Sequence, residues 1–586
     1  MLSSLRATFA SLLAADLPAS YPDYLALSEP RRDRPRRAIG LLLLLVIATF
    51  IPRAVMAWKI DTICADGVWY FRVASELEQR QLDPYDGGRL QLGTYPFALA
   101  SLHRLGLDWE NAAEFYGVLV STLAVLPLFG WVRRQFDDRV AVVACLLYAA
   151  HPKLVEWSPE AIREPSFWLF FLVALYCLWR ATTEVDWRLF IAGGAATALA
   201  CLTRFEGWFL LFPMWGWSLL RFWRLHTGRW RLAGGLALCG CAIPAVFVAF
   251  GALMPVGADW RTVRTEPIER AGVWLRSWGG EADTSSIEAN APIAANQAQA
   301  PAAATIAADA QQASATTIAP PVAAAAATSW TVLDTLWMFL RTIERGLTPL
   351  FAIFMFGGYF SRFRLFNRSD HVPVLLVALA VCAGIWIHLW YAHLASSRYV
   401  LTIALLATRS AAVGLLDFAH FVGAQLARRI PRGQLVASGG LLAVVLLVGI
   451  VDALSSDFRS RETLAGLGQW IRNAYGESTT VVGSESQLAL VGYYAHATAV
   501  QFPHGMARGE LVDWIAHVKP DVVIISTRAQ PAADYQPLLD ESQRLGLALV
   551  ASERMPGGAK HMLVLTRTQT PSAPIHQATR VPSPVP

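Results

Sequence analysis

Asp66 stands in the run Ala65-Asp66-Gly67-Val68-Trp69-Tyr70, just beyond the first long apolar stretch of the chain. A carboxylate at the edge of a hydrophobic span costs stability and usually marks function. Held there and tuned by partial burial, it suits a general base that takes the proton of an acceptor hydroxyl. The plainer alternative is a helix cap, because Asp followed by Gly-Val-Trp-Tyr is also a fair helix start. Lys153, Arg163, Arg204 and Arg398 lie at the ends of later apolar stretches. Arg grips phosphate oxygens bidentately and Lys acts as a point charge, so this set could hold a leaving phosphate. Singly, each could be a cation snorkelling at a span end. Glu160 and Glu164 flank Arg163 and could orient an arginine, poise an acceptor, bind a divalent ion, or begin a solvated helix. Glu206 beside Arg204 reads as a structural ion pair, and Tyr70 and Tyr399, near Asp66 and Arg398, are candidates for orienting groups. His151 and His393 lack the paired spacing of a metal site and read as hydrogen-bonded residues. No metal is therefore assigned; a divalent ion stays open only at the glutamates.

The elements that must position these residues are membrane helices. Of 586 residues, 55% are hydrophobic and 16% charged, against about a quarter charged in soluble domains. The 22 Trp and 28 Phe suit broad interfacial belts. A net charge of +5 gives nucleic acid no electrostatic footing. The cysteines are scattered, mostly in apolar runs, and form no disulfide framework or ligand spacing. About eleven spans are expected from length and hydropathy, near 39–58, 112–132, 138–153, 165–181, 188–204, 207–223, 232–255, 345–361, 372–391, 398–418 and 434–452. The basic segment Arg31–Arg37 precedes the first, which reads as an uncleaved anchor behind a cytoplasmic N-terminal segment, 1–38. Arginine clusters after the even-numbered spans fall on that same side, as the positive-inside rule requires. The candidate residues then face outward, four of them cations against that trend.

The transmembrane module covers 39–455, with a first outer loop at 59–111 and an Ala-, Gln-, Thr- and Pro-rich insertion at 281–329 that cannot build a core. Trp330–Arg345 has apolar residues at helical spacing and suits the membrane surface. From 456 to 568, short β-branched runs at Thr479–Val482 and Asp521–Ile525 alternate with amphipathic segments at Thr463–Tyr475 and Leu511–Val518, and Leu547–Ser552 and His561–Thr566 look like further strands. This alternation predicts a small extracytoplasmic α/β domain before a disordered 569–586 tail. No Gly-rich phosphate loop opens its helices. An outward-facing enzyme has no ATP, so an energised donor must arrive through the membrane, most simply as a sugar on a polyprenyl phosphate. A single displacement from it inverts the anomeric centre and needs one base, not the two carboxylates of a glycosidase.

Asp66-Gly67-Val68-Trp69-Tyr70, with Asp83-Pro84-Tyr85 and Tyr95-Pro96 after it, resembles the acidic first loop of the glycosyltransferase C superfamily. The run His151-Pro152 … Trp157-Ser158-Pro159-Glu160 … Arg163-Glu164-Pro165 is similar to its span three–four connection. Thr203-Arg204-Phe205-Glu206-Gly207 resembles its Thr-Arg-Pro-Glu-Gly pattern, and Ser397-Arg398-Tyr399 its Arg-Tyr segment. The resemblance covers about Ile39–Leu416 and looks nearest the dolichyl-phosphate-mannose protein mannosyltransferase and aminoarabinose transferase-like branch. It implies a polytopic α-helical glycosyltransferase C-like fold and inverting transfer from a polyprenyl-phosphate sugar, with Asp66 as base. The implied partners are that donor, membrane lipids and an acceptor outside the cytoplasm, such as an envelope glycan, lipid or protein. Its Ala-, Arg- and Gly-rich composition suggests a bacterial inner membrane with the site facing the periplasm. Protein mannosyltransferases usually carry Asp-Glu where this chain has Asp66-Gly67, which leaves one obvious base. A polytopic transporter and a non-catalytic envelope assembly subunit are the rival readings; against the first, no internal repeat is visible.

Overall fold

Backbone polar groups in lipid must be satisfied within their own segment, so apolar runs of this length become helices. The protein is described here from a computed structural model, over residues 35–79, 93–224, 228–253, 331–366, 371–392, 395–428, 430, 433–476, 478–484, 488–502, 508–527, 538–554 and 561–567. Residues 1–34, the Asp83–Gly88 run, the 281–329 insertion, His393 and the 569–586 tail lie outside the described residues.

Helix α1 (Pro35–Lys59) is the first span. The expected first loop contains two helices, α2 (Ala65–Gln79) and α3 (Thr94–Arg104). Helices α4 (Trp109–Leu123) and α5 (Val125–Gln135) run on as one span, and α6 (Asp138–Ala150) stops before the short α7 (Pro152–Glu156). Next come α8 (Glu164–Glu184), α9 (Trp187–Thr203), α10 (Trp208–Arg224) and α11 (Arg229–Leu253). After the segment outside the description follow α12 (Val332–Leu347), α13 (Pro349–Ser361), α14 (Phe363–Phe366), α15 (Val372–Ala392), α16 (Leu401–Leu426) and α17 (Gly433–Leu454). Over the described residues each predicted span falls on a helix or on two in succession. By length and apolarity, 7 candidate spans are long enough to cross a membrane among the described residues. The helices α6, α9, α10 and α13 are shorter, so length alone does not reach the predicted count.

Small residues let the helices approach closely. Where α13 crosses α16, a Cβ on Gly414 would lie 2.1 Å from the Phe354 carbonyl oxygen and one on Gly358 2.0 Å from that of Ser410. The two ends of the bundle differ chemically. Arg133–Asp138, Arg180–Glu184 and Arg362–Asp417 pair at one end, at 2.5, 2.7 and 3.1 Å. The candidate site lies at the other end. Helix α8 joins the two, carrying Glu164 on its first residue and Glu184 on its last, about 30 Å apart at the helical rise. Helix α12 begins with a capping box between Thr331 and Asp334 and leaves Leu333, Leu336, Trp337 and Leu340 exposed. That is the apolar face predicted from its spacing.

The C-terminal domain is α/β, as expected. Helix α18 (Arg459–Tyr475) leads to β1 (Thr480–Gly483), α19 (Leu488–Ala495), β2 (Thr498–Gln501), α20 (Arg508–Val518), β3 (Val522–Thr527), β4 (Leu547–Arg554) and β5 (His561–Arg567). The strand order is β2-β1-β3-β5-β4. The first three are parallel (Val481 opposite Ala499 and Val522), and β5 runs antiparallel to both β3 and β4. Alternate residues feed opposite faces. Val482, Val523 and Leu565 enter one core, and Val481, Val522 and Val564 enter another. The second core is shared: it also contains Tyr70, Phe71, Val73, Ala74 and Leu77 of α2, and Leu464, Leu467, Trp470 and Ile471 of α18. The loop that carries Asp66 is thus packed into the C-terminal domain.

Candidate active site

Asp66 is the second residue of α2, within its first turn, where the helix dipole favours a negative charge. Its side chain does not close on its own backbone; it forms an ion pair with Arg398, 332 residues away. Arg398 sits in the 3-10 turn Ser397–Val400 ahead of α16. The end of α12 presses on that turn, since a Cβ on Gly346 would fall 2.7 Å from that of Val400. Asp66 is 46% exposed and Arg398 23%, so the pair stands at the mouth of the site.

Behind it the charges are buried. Arg398 Nε lies 3.7 Å from Glu164 Oε1, and Glu164 is only 4% exposed. The same oxygen accepts from Arg204, which also donates to Glu206. Arg204 follows α9 in extended backbone, and a 3-10 turn, Phe205–Gly207, returns Glu206 towards it. The result is a continuous chain Asp66–Arg398–Glu164–Arg204–Glu206. The Tyr399 ring lies 5.6 Å from the Arg398 guanidinium carbon and 5.9 Å from that of Arg204, touching both cations. Burial would raise the Glu206 pKa, but Arg204 overrides it and holds the carboxyl down at about 2. Tyr70 is buried, its ring edge-on to Trp69 and Tyr95 at 5.0 Å each, and burial pushes its phenol up to about 12. It remains a neutral hydroxyl at any physiological pH. Arg163 is the residue ahead of α8, adjacent in the chain to Glu164.

The predicted residues thus divide. Asp66, Arg398, Glu164, Arg204, Glu206 and Tyr399 are brought together, with Tyr70 and Arg163 beside them. Lys153 instead pairs with Glu156 at 2.6 Å, and Glu156 accepts from Ser456 at 2.9 Å, at the seam with the C-terminal domain. Glu160 is 1% exposed and pairs with Arg461 of α18 at 2.5 Å. Burial raises its pKa, and Arg461 opposes the rise. His151 is buried with its ring 4.6 Å from that of Phe351.

Two residues escaped the sequence reading. Arg461 lies in the tail and gives no local signal. Arg53 interrupts the apolar run of α1 and could have been noticed: it is fully buried and donates to Thr49 O at 3.0 Å and to Ala149 O and Tyr148 O at 3.3 Å. Its guanidinium thereby satisfies carbonyls left open where α6 ends early.

The glutamates do not fit the divalent ion considered for them. Glu160 and Glu164 point to different arginines. Between Asp66 and Glu164 the cationic position is occupied by Arg398 itself. Among the described residues no group of three His, Cys, Asp or Glu converges.

Comparison with known proteins agrees with this architecture. Residues 94–247 match the family model described as dolichyl-phosphate-mannose-protein mannosyltransferase, a segment containing Glu164, Arg204 and Glu206. The chain is similar in structure to the oligosaccharyltransferase of Archaeoglobus fulgidus, with TM-score 0.52 and 14% identity over 83% of this chain and 69% of that one. It is also similar to ArnT from Cupriavidus metallidurans, solved bound to undecaprenyl phosphate, with TM-score 0.49 and 13% identity over 91% of this chain and 99% of that one. No curated protein matches the sequence. The protein is an integral membrane protein whose helical bundle and small C-terminal sheet are similar in fold to the Archaeoglobus fulgidus oligosaccharyltransferase. The family that matches residues 94–247 is one named from the loop motifs.

Proposed function

We propose that the protein is an inverting glycosyltransferase that moves a sugar from a polyprenyl-phosphate carrier to a hydroxyl acceptor outside the cytoplasm, with Asp66 as general base. The observation that carries this reading is the half-exposed Asp66–Arg398 pair at the mouth of a buried line of charges. Such an arrangement serves two tasks at one point. The donor's phosphate competes for Arg398, and as the guanidinium turns to it, the Asp66 carboxylate is released to accept a proton. The acceptor oxygen then attacks the anomeric carbon while the bond from that carbon to the phosphate oxygen breaks. The acceptor proton passes to Asp66, and the carrier leaves as a phosphate monoester with one more negative charge, stabilised by Arg398.

The remaining residues position these two. Glu164 and Tyr399 hold Arg398 from behind, and Arg204 neutralises Glu164, so the site need not reorganise as charge develops. Arg163 and Arg204 supply further positive potential for the phosphate, while Tyr70 forms part of the wall under Asp66. Lys153 and Glu160 serve the seam with the tail domain instead. The family matched at 94–247 is described by a polyprenyl-phosphate sugar donor and supports this choice of donor. The arginine pairs at the far end of the bundle support an orientation with the site outside the cytoplasm, by the positive-inside rule. A protein acceptor is disfavoured at position 67, where the usual second acid is replaced by glycine.

The test is transfer of label from a panel of polyprenyl-phosphate sugars by purified protein, comparing wild type with Arg398→Ala. The variant should raise the apparent donor KM by about tenfold or more, the loss expected for one charged hydrogen bond of about 1.5–3 kcal/mol. A donor KM equal to that of wild type contradicts the assignment of Arg398.

A further inference from the structure

We propose that Arg461 of the C-terminal domain is a positioning residue for Asp66, so that this domain completes the active site. The inference rests on the function proposed above. Arg461 lies in the first turn of α18, where the helix dipole disfavours a cation. It is held there by Glu160, a carboxylate 1% exposed. A buried carboxylate stripped of its cation must move, take up a proton or admit water. Glu160 cannot do so quietly, because its neighbours carry the Asp66 turn. The Ala161 carbonyl accepts from the Cys64 thiol at 3.7 Å. The Ala161 methyl fills the space beside Gly67, where an added Cβ would lie 2.6 Å away. Cys64 and Gly67 flank Asp66 and are themselves joined by a Gly67 N–H to Cys64 O bond of 2.9 Å. One short path therefore runs Arg461–Glu160–Ala161–Gly67–Asp66.

The path is anchored on both sides. Lys59 at the end of α1 donates to Leu454 O at 2.6 Å and Ser456 O at 2.8 Å, and Ser456 donates to Glu156 at 2.9 Å. These contacts clamp the 454–456 junction from which α18 departs. On the same face of α2 as Gly67, Tyr70 and Phe71 share a core with Ala161 and with Leu464 and Leu467 of α18. The tail domain thus grips the Asp66 helix along that face, with Tyr494 accepting from Ile63 N–H at 3.2 Å and Arg461 acting through Glu160.

The experiment uses full-length protein in lipid nanodiscs, with kcat expressed per folded molecule. Arg461→Ala should lower kcat by roughly 10–100-fold, in line with a misplacement of the base by up to about 1 Å, and leave donor KM within about twofold. Arg461→Lys should keep most of the turnover. The double variant Arg461→Ala/Glu160→Gln, which leaves no unpaired charge, should recover most of what Arg461→Ala loses. Wild-type kcat in Arg461→Ala overturns the inference. So does a double variant no better than the single, since that result assigns one of the pair a direct role. Amide exchange of the 62–68 segment supplies a readout independent of turnover. It should quicken at least about tenfold in Arg461→Ala, and unchanged exchange overturns the inference even if no donor is turned over. Absence of transfer by wild type would count against the proposed function, while the exchange result would still decide the role of Arg461.

Discussion

Arg204→Met is the substitution whose cost follows most directly from the buried charges. Arg204 is 8% exposed and serves two carboxylates, Glu164 at 4% and Glu206 at 24% exposure. Methionine keeps much of the volume and removes the charge, so the loss is electrostatic rather than a cavity. Breaking one partner of a buried pair costs about 3–5 kcal/mol, because a charge is left uncompensated. Glu164 keeps Arg398 at 3.7 Å, and Glu206 retains some access to water, so the lower end applies, about 3 kcal/mol. Pairing this change with Glu164→Gln should return about 1–2 kcal/mol, leaving Glu206 as the residual debt. Tryptophan-fluorescence unfolding in denaturant, with the purified protein in one fixed detergent, measures the differences. A loss below about 1 kcal/mol for Arg204→Met, or no recovery in the double variant, would refute the view that Arg204 neutralises Glu164.

Two further expectations concern the same region. The Glu206 pKa is held at about 2 against an ordinary 4.5, so its contribution is fully present above pH ~4.5 and is lost as pH falls through 2; the shift corresponds to about 3 kcal/mol at most. Glu206→Gln should flatten the acid limb of a stability-versus-pH curve across that window, and a limb as steep as that of wild type would contradict it. Gly67→Ala puts a methyl 2.6 Å from the Ala161 Cβ and should lower kcat without raising donor KM; pairing it with Ala161→Gly should restore turnover. No rescue in that pair would show that position 67 acts other than by fit.

The spans are legible because lipid leaves an apolar run no alternative to a helix, and four of the five strands because short apolar runs, β-branched in β1 and β3, announce them. Strand β2 is not, since Thr498–Gln501 is four residues long and has no apolar run of its own. In the first loop the sequence offers a helix start at Asp66 but not its packing: Ala65–Gln79 mixes apolar and polar residues at helical spacing, and its apolar face meets a domain that begins nearly 400 residues later. Asp66 could be singled out by its place after a span. Its partner could not, because 332 residues separate it from Arg398 and only the tertiary fold brings them together. Glu160 and Glu164 looked like one pair from their spacing. Helix α8 begins only at Glu164, so no helical turn joins them, and each faces a different arginine. The Glu206–Arg204 pair was readable because it is local.

The central claim is that Asp66 takes the acceptor's proton, and single-turnover transfer by Asp66→Asn tests it most directly. With saturating labelled polyprenyl-phosphate sugar, the isosteric amide, which no longer competes with the phosphate for Arg398, should bind donor at least as tightly as wild type and transfer label at least about 100-fold more slowly. Transfer at the wild-type rate by folded, donor-loaded Asp66→Asn would contradict the account.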